Sequence, residues 1–173
     1  MKEFDKLTIE EKKKFLEWTF YYEVTMLIYS YLKLIQIQII NDNSEKNIAI
    51  ETFVLHGRNL FEFYFLKERI KKDDARIFDF IPIKNLNFIK DNSFLVEYEF
   101  KEKSNKQIAH LNYTRLEYEN TLKKSWDINR IMKEFILITK YFIEELSKEY
   151  KGENIMFLKE LLNKNKYLNQ LFV

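Results

Sequence analysis

Two glycines and one proline are all that punctuate 173 residues. Glycine and proline interrupt helices and shape tight turns, so their scarcity works against a turn-rich all-β chain and favours long helices. The chain has the means to bury such helices. Hydrophobic residues make up 46% of it and aromatic residues 17%, with 16 Phe and 11 Tyr. That load supports a packed interior rather than disorder. At this length the simplest organisation is one domain over residues 1–173, large enough for a real core. The expected architecture is all-α, an up-and-down bundle of about five helices with a short helix among them.

Local patterns place the elements. Thr8-Ile9-Glu10-Glu11 has the form of a capping box, with Thr8 as N-cap and Glu11 three residues on. Helical spacing then runs to about residue 41 in two rows. One row holds Phe15, Trp18 or Thr19, Tyr22, Met26, Tyr29 and Lys33; the other holds Leu16, Phe20, Leu27, Tyr31, Leu34 and Ile35. A helix apolar on most sides is central in a bundle or lies at a dimer interface. Residues 41–44, Asn-Asp-Asn-Ser, form the expected turn. A second helix is predicted over about 45–71, with Ile48, Phe53, Leu60, Phe63 and Leu66 on its apolar face and His56 nearby. The run Lys71-Lys72-Asp73-Asp74 breaks it, Asp73 or Asp74 caps a short helix through Phe80, and Pro82 stops that helix. Residues 93–102 alternate apolar and polar, which fits a strand, but no partner strand is evident and helix or irregular structure is favoured. Further helices are predicted over about 105–122, from the Asp127 cap to about 150, and over about 154–171, with Lys151-Gly152 as a stop.

Charge and cysteine narrow the function classes. Twenty-nine basic residues against 27 acidic ones give a net charge of +2, which is no global nucleic-acid signature. With no cysteine there are no disulfides, thiolate nucleophiles or cysteine metal sites. The start of the chain is charged and lacks a signal-peptide core. The most apolar stretch, residues 19–40, is interrupted by Glu23, Lys33, Gln36 and Gln38, so it reads as a buried helix rather than a membrane span. A cytoplasmic protein with no membrane association is expected.

The chain's two histidines each sit near an arginine in a helical pattern: His56-Gly57-Arg58-Asn59, and Asn105 to Arg115 with His110 between. Histidine is the side chain that moves protons near neutrality, and the arginine fork suits phosphate or carboxylate. On the second segment Lys103, Lys106, His110, Tyr113 and Glu117 share a face. Such a stripe has the groups to hold a phosphodiester and move its proton, and equally the groups of a solvated helix face. His56 neighbours Leu55, Leu60 and Phe63, so burial is expected and the imidazole needs a partner, with Asn59, Glu62 and Glu51 as candidates. The acidic cluster Asp73, Asp74 and Asp79 invites a metal reading, but Asp73 and Asp74 are explained as helix caps and no ligand spacing supports a metal site. Glu-x-x-His pairs are absent, since Phe53 and Gln107 stand where the glutamates would be. There is no glycine-rich phosphate loop and no nucleophilic triad. The aromatic run Phe61, Phe63, Tyr64 and Phe65 is expected in the core or at a dimer interface. No cofactor is expected.

The motif His-x-Arg-Asn-Leu-x-Glu-Phe at 56–63, Asp73-Asp74, and Asn-Lys-x-Ile-Ala-His-Leu-x-Tyr-x-Arg at 105–115 resembles a family of uncharacterised bacterial helical proteins over about residues 48–126. The helical layout with a polar motif on a long helix also resembles the HEPN superfamily. That resemblance implies a HEPN-like fold and an RNA-binding protein. It also implies metal-independent endoribonuclease activity of the kind found in toxin–antitoxin and phage-defence systems, usually in a homodimer. His110 would be the general acid/base, with His56 and Arg58 as a supporting or second catalytic set. Arg115, Lys106, Lys103, Asn59, Asn105 and Tyr113 would contact RNA. The sequence departs from the HEPN signature, because the window in which an arginine should precede His110 holds Lys103, Ser104 and Asn105. Lysine lacks the bidentate fork.

A reading from another class competes. The chain is then a non-catalytic interaction module, such as an antitoxin, a phage-encoded inhibitor or a dimerising partner, and its His/Arg motifs hold the bundle together. A small-ligand pocket among the core aromatics is a third option. Solvent access separates the first two: histidines sharing an open cleft with Arg58 or Arg115 favour a site. Burial against a carboxylate such as Glu62 or Asp74 favours structure.

Overall fold

Every regular element of the computed structural model is helical, and no strand occurs among the described residues, which are 3–37, 43–66, 68, 71–82, 93–106 and 126–172. Thr8 opens the first long helix with the expected capping box. Its backbone N–H donates to Glu11 Oε2 at 2.8 Å, and its Oγ1 accepts from the Glu11 N–H at 3.2 Å. From there α1 (Ile9–Phe15), a π-helical turn (Leu16–Phe20) and α2 (Tyr21–Ile37) follow one another with right-handed helical geometry at both junctions. The two apolar rows then part. Leu16, Phe20, Leu27, Tyr31 and Leu34 are buried, while Trp18, Tyr22 and Tyr29 face solvent. This helix has one buried side and does not occupy the centre of the bundle.

α3 (Asn43–Phe65) returns antiparallel along α2. Successive contacts fix the register: Phe20 on Phe63 with ring centroids 5.2 Å apart, Glu23 on His56, Tyr31 on Phe53, and Lys33 to Glu45 at 3.1 Å. Asn43 and Ser44 are already helical, and the helix ends at Phe65, short of the expected 71. The remainder of the expected turn, residues 41 and 42, lies outside the described residues. Beyond α3 the acidic residues do cap, but differently from expectation. Asp74 accepts from the Lys71 N–H, and Asp79 accepts from the Arg76 N–H to close a 3₁₀ turn over Ile77–Asp79.

The alternating stretch at 93–102 is two short helices, α4 (Phe94–Glu97) and α5 (Phe100–Ser104). They are joined at Glu99, whose φ of 52° is left-handed and redirects the chain. α6 (Ile128–Glu145) starts where predicted, with Asp127 Oδ1 accepting from the Arg130 N–H at 3.1 Å. It stops earlier than expected: Leu146 turns extended, and a separate 3₁₀ turn covers Lys148–Tyr150. α7 (Glu153–Lys164) and α8 (Lys166–Asn169) replace the single predicted last helix. Asn165 divides them, because its side chain accepts from the Tyr167 and Leu168 N–H groups and starts a new helix.

The core gathers where α2, α3 and α6 meet. Phe20, Phe63 and Phe142 pack with centroids 5.1 to 5.3 Å apart. Removing one such ring from water is worth roughly 2–3 kcal/mol. Two polar links join these helices, one buried and one at the edge of the core. The Tyr64 hydroxyl meets Thr139 Oγ1 at 2.8 Å, and the Tyr31 hydroxyl donates to Asn129 Oδ1 at 3.0 Å. Of the aromatics expected in the core or at a dimer interface, Phe61, Phe63 and Tyr64 are buried and Phe65 is half-buried against them.

Candidate functional site

His56 lies on the side of α3 that meets α2, and it is 6% exposed. Its Nδ1 is 2.7 Å from Glu23 Oε2, and Asn59 Nδ2 donates to the same oxygen at 3.1 Å. An ionised carboxylate only accepts, so Nδ1 carries the proton in this contact. Nε2 makes no hydrogen bond among the described residues. The Tyr22 ring stands edge-on to the imidazole, with centroids 5.5 Å apart. One turn of α3 thus supplies two donors, and α2 supplies the acceptor they share. The antiparallel register that pairs Phe20 with Phe63 and Lys33 with Glu45 brings Glu23 to this level.

His56 and Asn59 come together in space; Arg58 does not join them. Two residues along a helix point to different sides, and the Arg58 guanidinium turns toward α5. There Nη2 reaches Glu62 Oε1 at 3.5 Å, and Lys101 Nζ reaches the same oxygen at 3.3 Å. Arg58 Nε is buried without a hydrogen bond among the described residues. Arg58 also borders a groove of 330 Å³ with Ile48, Leu55 and Ser104.

A cleft of 240 Å³ adjoins the Glu23–Asn59 contact. Phe15, Phe20, Leu60 and Phe63 form its apolar wall, and its polar lining is Glu23, Asn59, Glu62, Glu68, Asp74 and Arg76. Among the described residues four carboxylates and one guanidinium line it, and that guanidinium is already 3.2 Å from Asp79.

The residues read as a phosphate-binding stripe divide among different environments. Lys103 is buried, its Nζ donating to the Tyr98 hydroxyl at 2.6 Å and lying 4.4 and 4.6 Å from the Tyr98 and Trp126 ring centroids. Burial pushes this amine down to about 8. It sits under aromatic rings rather than on an open surface. Asn105 is half-buried and its Oδ1 is enclosed without a partner among the described residues, whereas Lys106 is exposed. His110, Tyr113, Glu117 and Arg115, with residues 107–122 of the helix expected over about 105–122, lie outside the described residues.

Sequence reasoning sought the partner of His56 among Asn59, Glu62 and Glu51, and it missed Glu23. The signal was present, since Glu23 is the lone acid in the apolar run of the first helix. Among the described residues no group of three or more His, Asp or Glu side chains could hold a metal ion, and no helix is long and apolar enough to cross a membrane. The chain was compared with protein-family models, curated protein sequences and solved structures. It matches none of them.

Proposed function

We propose that the protein is a non-catalytic interaction module, an antitoxin-like, inhibitor-like or dimerising partner, in which the motif on α3 is structural. The observation that carries this reading is the enclosure of His56. Its Nδ1 is committed to Glu23, the same carboxylate holds Asn59, and together they bind α2 to α3. A buried imidazole with its carboxylate is costly to break, because removing one partner leaves the other desolvated. Arg58, bound to Glu62 on another side of the helix, is no part of that constellation. The acidic lining of the adjacent cleft favours a protein or cationic surface over RNA.

The HEPN-like reading, RNA binding with metal-independent cleavage by His110 and phosphate contacts from Arg115, Lys106 and Tyr113, is the competing proposal. A double-mutant cycle on Glu23 and His56 joined to an RNA assay separates the two. On the structural reading, His56→Ala lowers stability by about 2–3 kcal/mol, and Glu23→Gln adds little on top of it. The wild-type chain then neither binds nor cleaves RNA. Ribonuclease activity that disappears in His110→Ala overturns the interaction reading.

A further inference from the structure

Trp18, Tyr22 and Tyr29 are 67%, 52% and 64% exposed and share the outer side of the first long helix, opposite the row that builds the core. Thr25 and Met26 are half-buried between them, and Lys33 continues the same face one turn further on. Across a shallow groove beside Trp18, α7 presents an exposed Met156. Other large apolar side chains are exposed elsewhere, Ile48 and Phe157 among them, and charged residues line the groove beside Trp18. Here, however, three large aromatic side chains line up along one helix face, as at an association site. Tryptophan and tyrosine are also the side chains that most often dominate binding energy at interfaces.

We infer that this face joins two copies of the chain, with their first long helices packed antiparallel about a twofold axis near Met26. The inference rests on the interaction-module reading and names its partner. A second copy is singled out because the face complements itself, which a twofold contact demands. In the antiparallel register centred at residues 25 and 26, Tyr22 of one copy meets Tyr29 of the other. Trp18 then meets Lys33, and each pair occurs twice. Ring packs on ring and ammonium on indole, both favourable contacts. Lys33 already bonds Glu45 at 3.1 Å, and its ammonium has further donors to turn toward the indole. A parallel arrangement instead opposes Lys33 to Lys33 and loses both cation–ring contacts. The same face without a partner leaves three large aromatic side chains in water.

The full chain tests this directly, because it has no cysteine and so engineered thiols report without background. Met26→Cys should form a disulfide-linked dimer under mild oxidation, and Trp18→Cys mixed with Lys33→Cys should cross-link one to the other. Ile9→Cys, exposed near the start of the helix and off this register, should not cross-link. Sedimentation of the wild type should show a dimer, and Trp18→Ala with Tyr29→Ala should weaken it by roughly tenfold or more, with Tm unchanged when both are compared at dilutions where the chain is monomeric. A wild type that stays monomeric at high micromolar concentration overturns the inference. So does a dimer that the double substitution leaves intact, since its interface then lies elsewhere. A monomer that recruits a different protein through Trp18 ends the self-association while leaving the interaction-module reading standing. RNA cleavage by His110 would instead remove the reading beneath it.

Discussion

Beside His56, Gly57 is the residue where helix propensity and packing pull in opposite directions. It lies inside α3, where alanine in place of glycine ordinarily gains about 1 kcal/mol. A Cβ at this position would sit 2.8 Å from Phe100 Cζ and 3.3 Å from Phe135 Cε2, and both rings are fully buried. α3, α5 and α6 approach so closely here that no side chain fits between them. Overpacking of this kind costs about 1–3 kcal/mol, which exceeds the propensity gain. Gly57→Ala is therefore expected to lower Tm, and Phe100→Leu in the same chain to recover part of the loss by vacating the contested space. Thermal unfolding of the single and double variants checks this. A Gly57→Ala variant more stable than the wild type would show that the Phe100 ring moves aside without cost. The glycine stands between His56 and Arg58, so the motif that looked like a catalytic segment also carries a close approach of α3 to the Phe100 and Phe135 rings.

Among the elements, α7 depends on a residue from another helix. Its N-cap is Gly152, which has no side chain to accept from the first free N–H groups. Glu17, in the π-helical turn, takes that role: Oε2 accepts from the Asn154 N–H at 3.0 Å and Oε1 from the Ile155 N–H at 3.1 Å. The Asn154 side chain answers by donating to the Glu17 carbonyl at 2.8 Å. A carboxylate at a helix N-terminus also opposes the helix dipole favourably. Glu17→Ala is expected to cost about 1–2 kcal/mol and to speed amide exchange at Asn154 and Ile155 while α3 stays protected. Equal acceleration in α3 would mean that the contact has no local role. This cap shows what was legible in the sequence and what was not. Caps formed within three residues, Thr8 with Glu11 and Asp127 with Arg130, were readable because their spacing is local. The helical class was readable for the same reason, from periodicity and the scarcity of breakers. Glu17 on α7 and Glu23 on His56 bridge 137 and 33 positions. No spacing rule spans such separations; only the register of packed helices does. The alternation at 93–102 fitted a strand as well as the favoured helix or irregular structure, because a left-handed Glu99 between two short helices leaves no periodic trace.

At the scale of the whole molecule, the titration of Lys103 and the buried tyrosines is expected to place a stability maximum on the alkaline side. Lys103 is held down to about 8 by burial, against 10.5 for an exposed amine. Between those values the unfolded chain carries the proton and the folded chain does not, so stability rises with pH. Tyrosines act in the opposite direction. Burial raises the phenols of Tyr64, Tyr31 and Tyr98 above their ordinary 10.0. Above about pH 10 the unfolded chain loses phenolic protons that the fold retains, so stability falls. The two slopes meet near pH 10. The rising limb is on the order of 1–3 kcal/mol, smaller than the full shift alone would give, because the Tyr98 and Trp126 rings favour the charged amine. Urea unfolding from neutral pH to about pH 11 should trace the rise and the fall. Lys103→Met keeps the volume and removes the buried charge, so it should be at least as stable as the wild type at neutral pH and should lose the rise between pH 8 and 10. A wild type whose stability is flat or falling across that window would mean that the ring contacts hold the ammonium charged, and Lys103 would then be a fixed cation pinning α5 to Trp126.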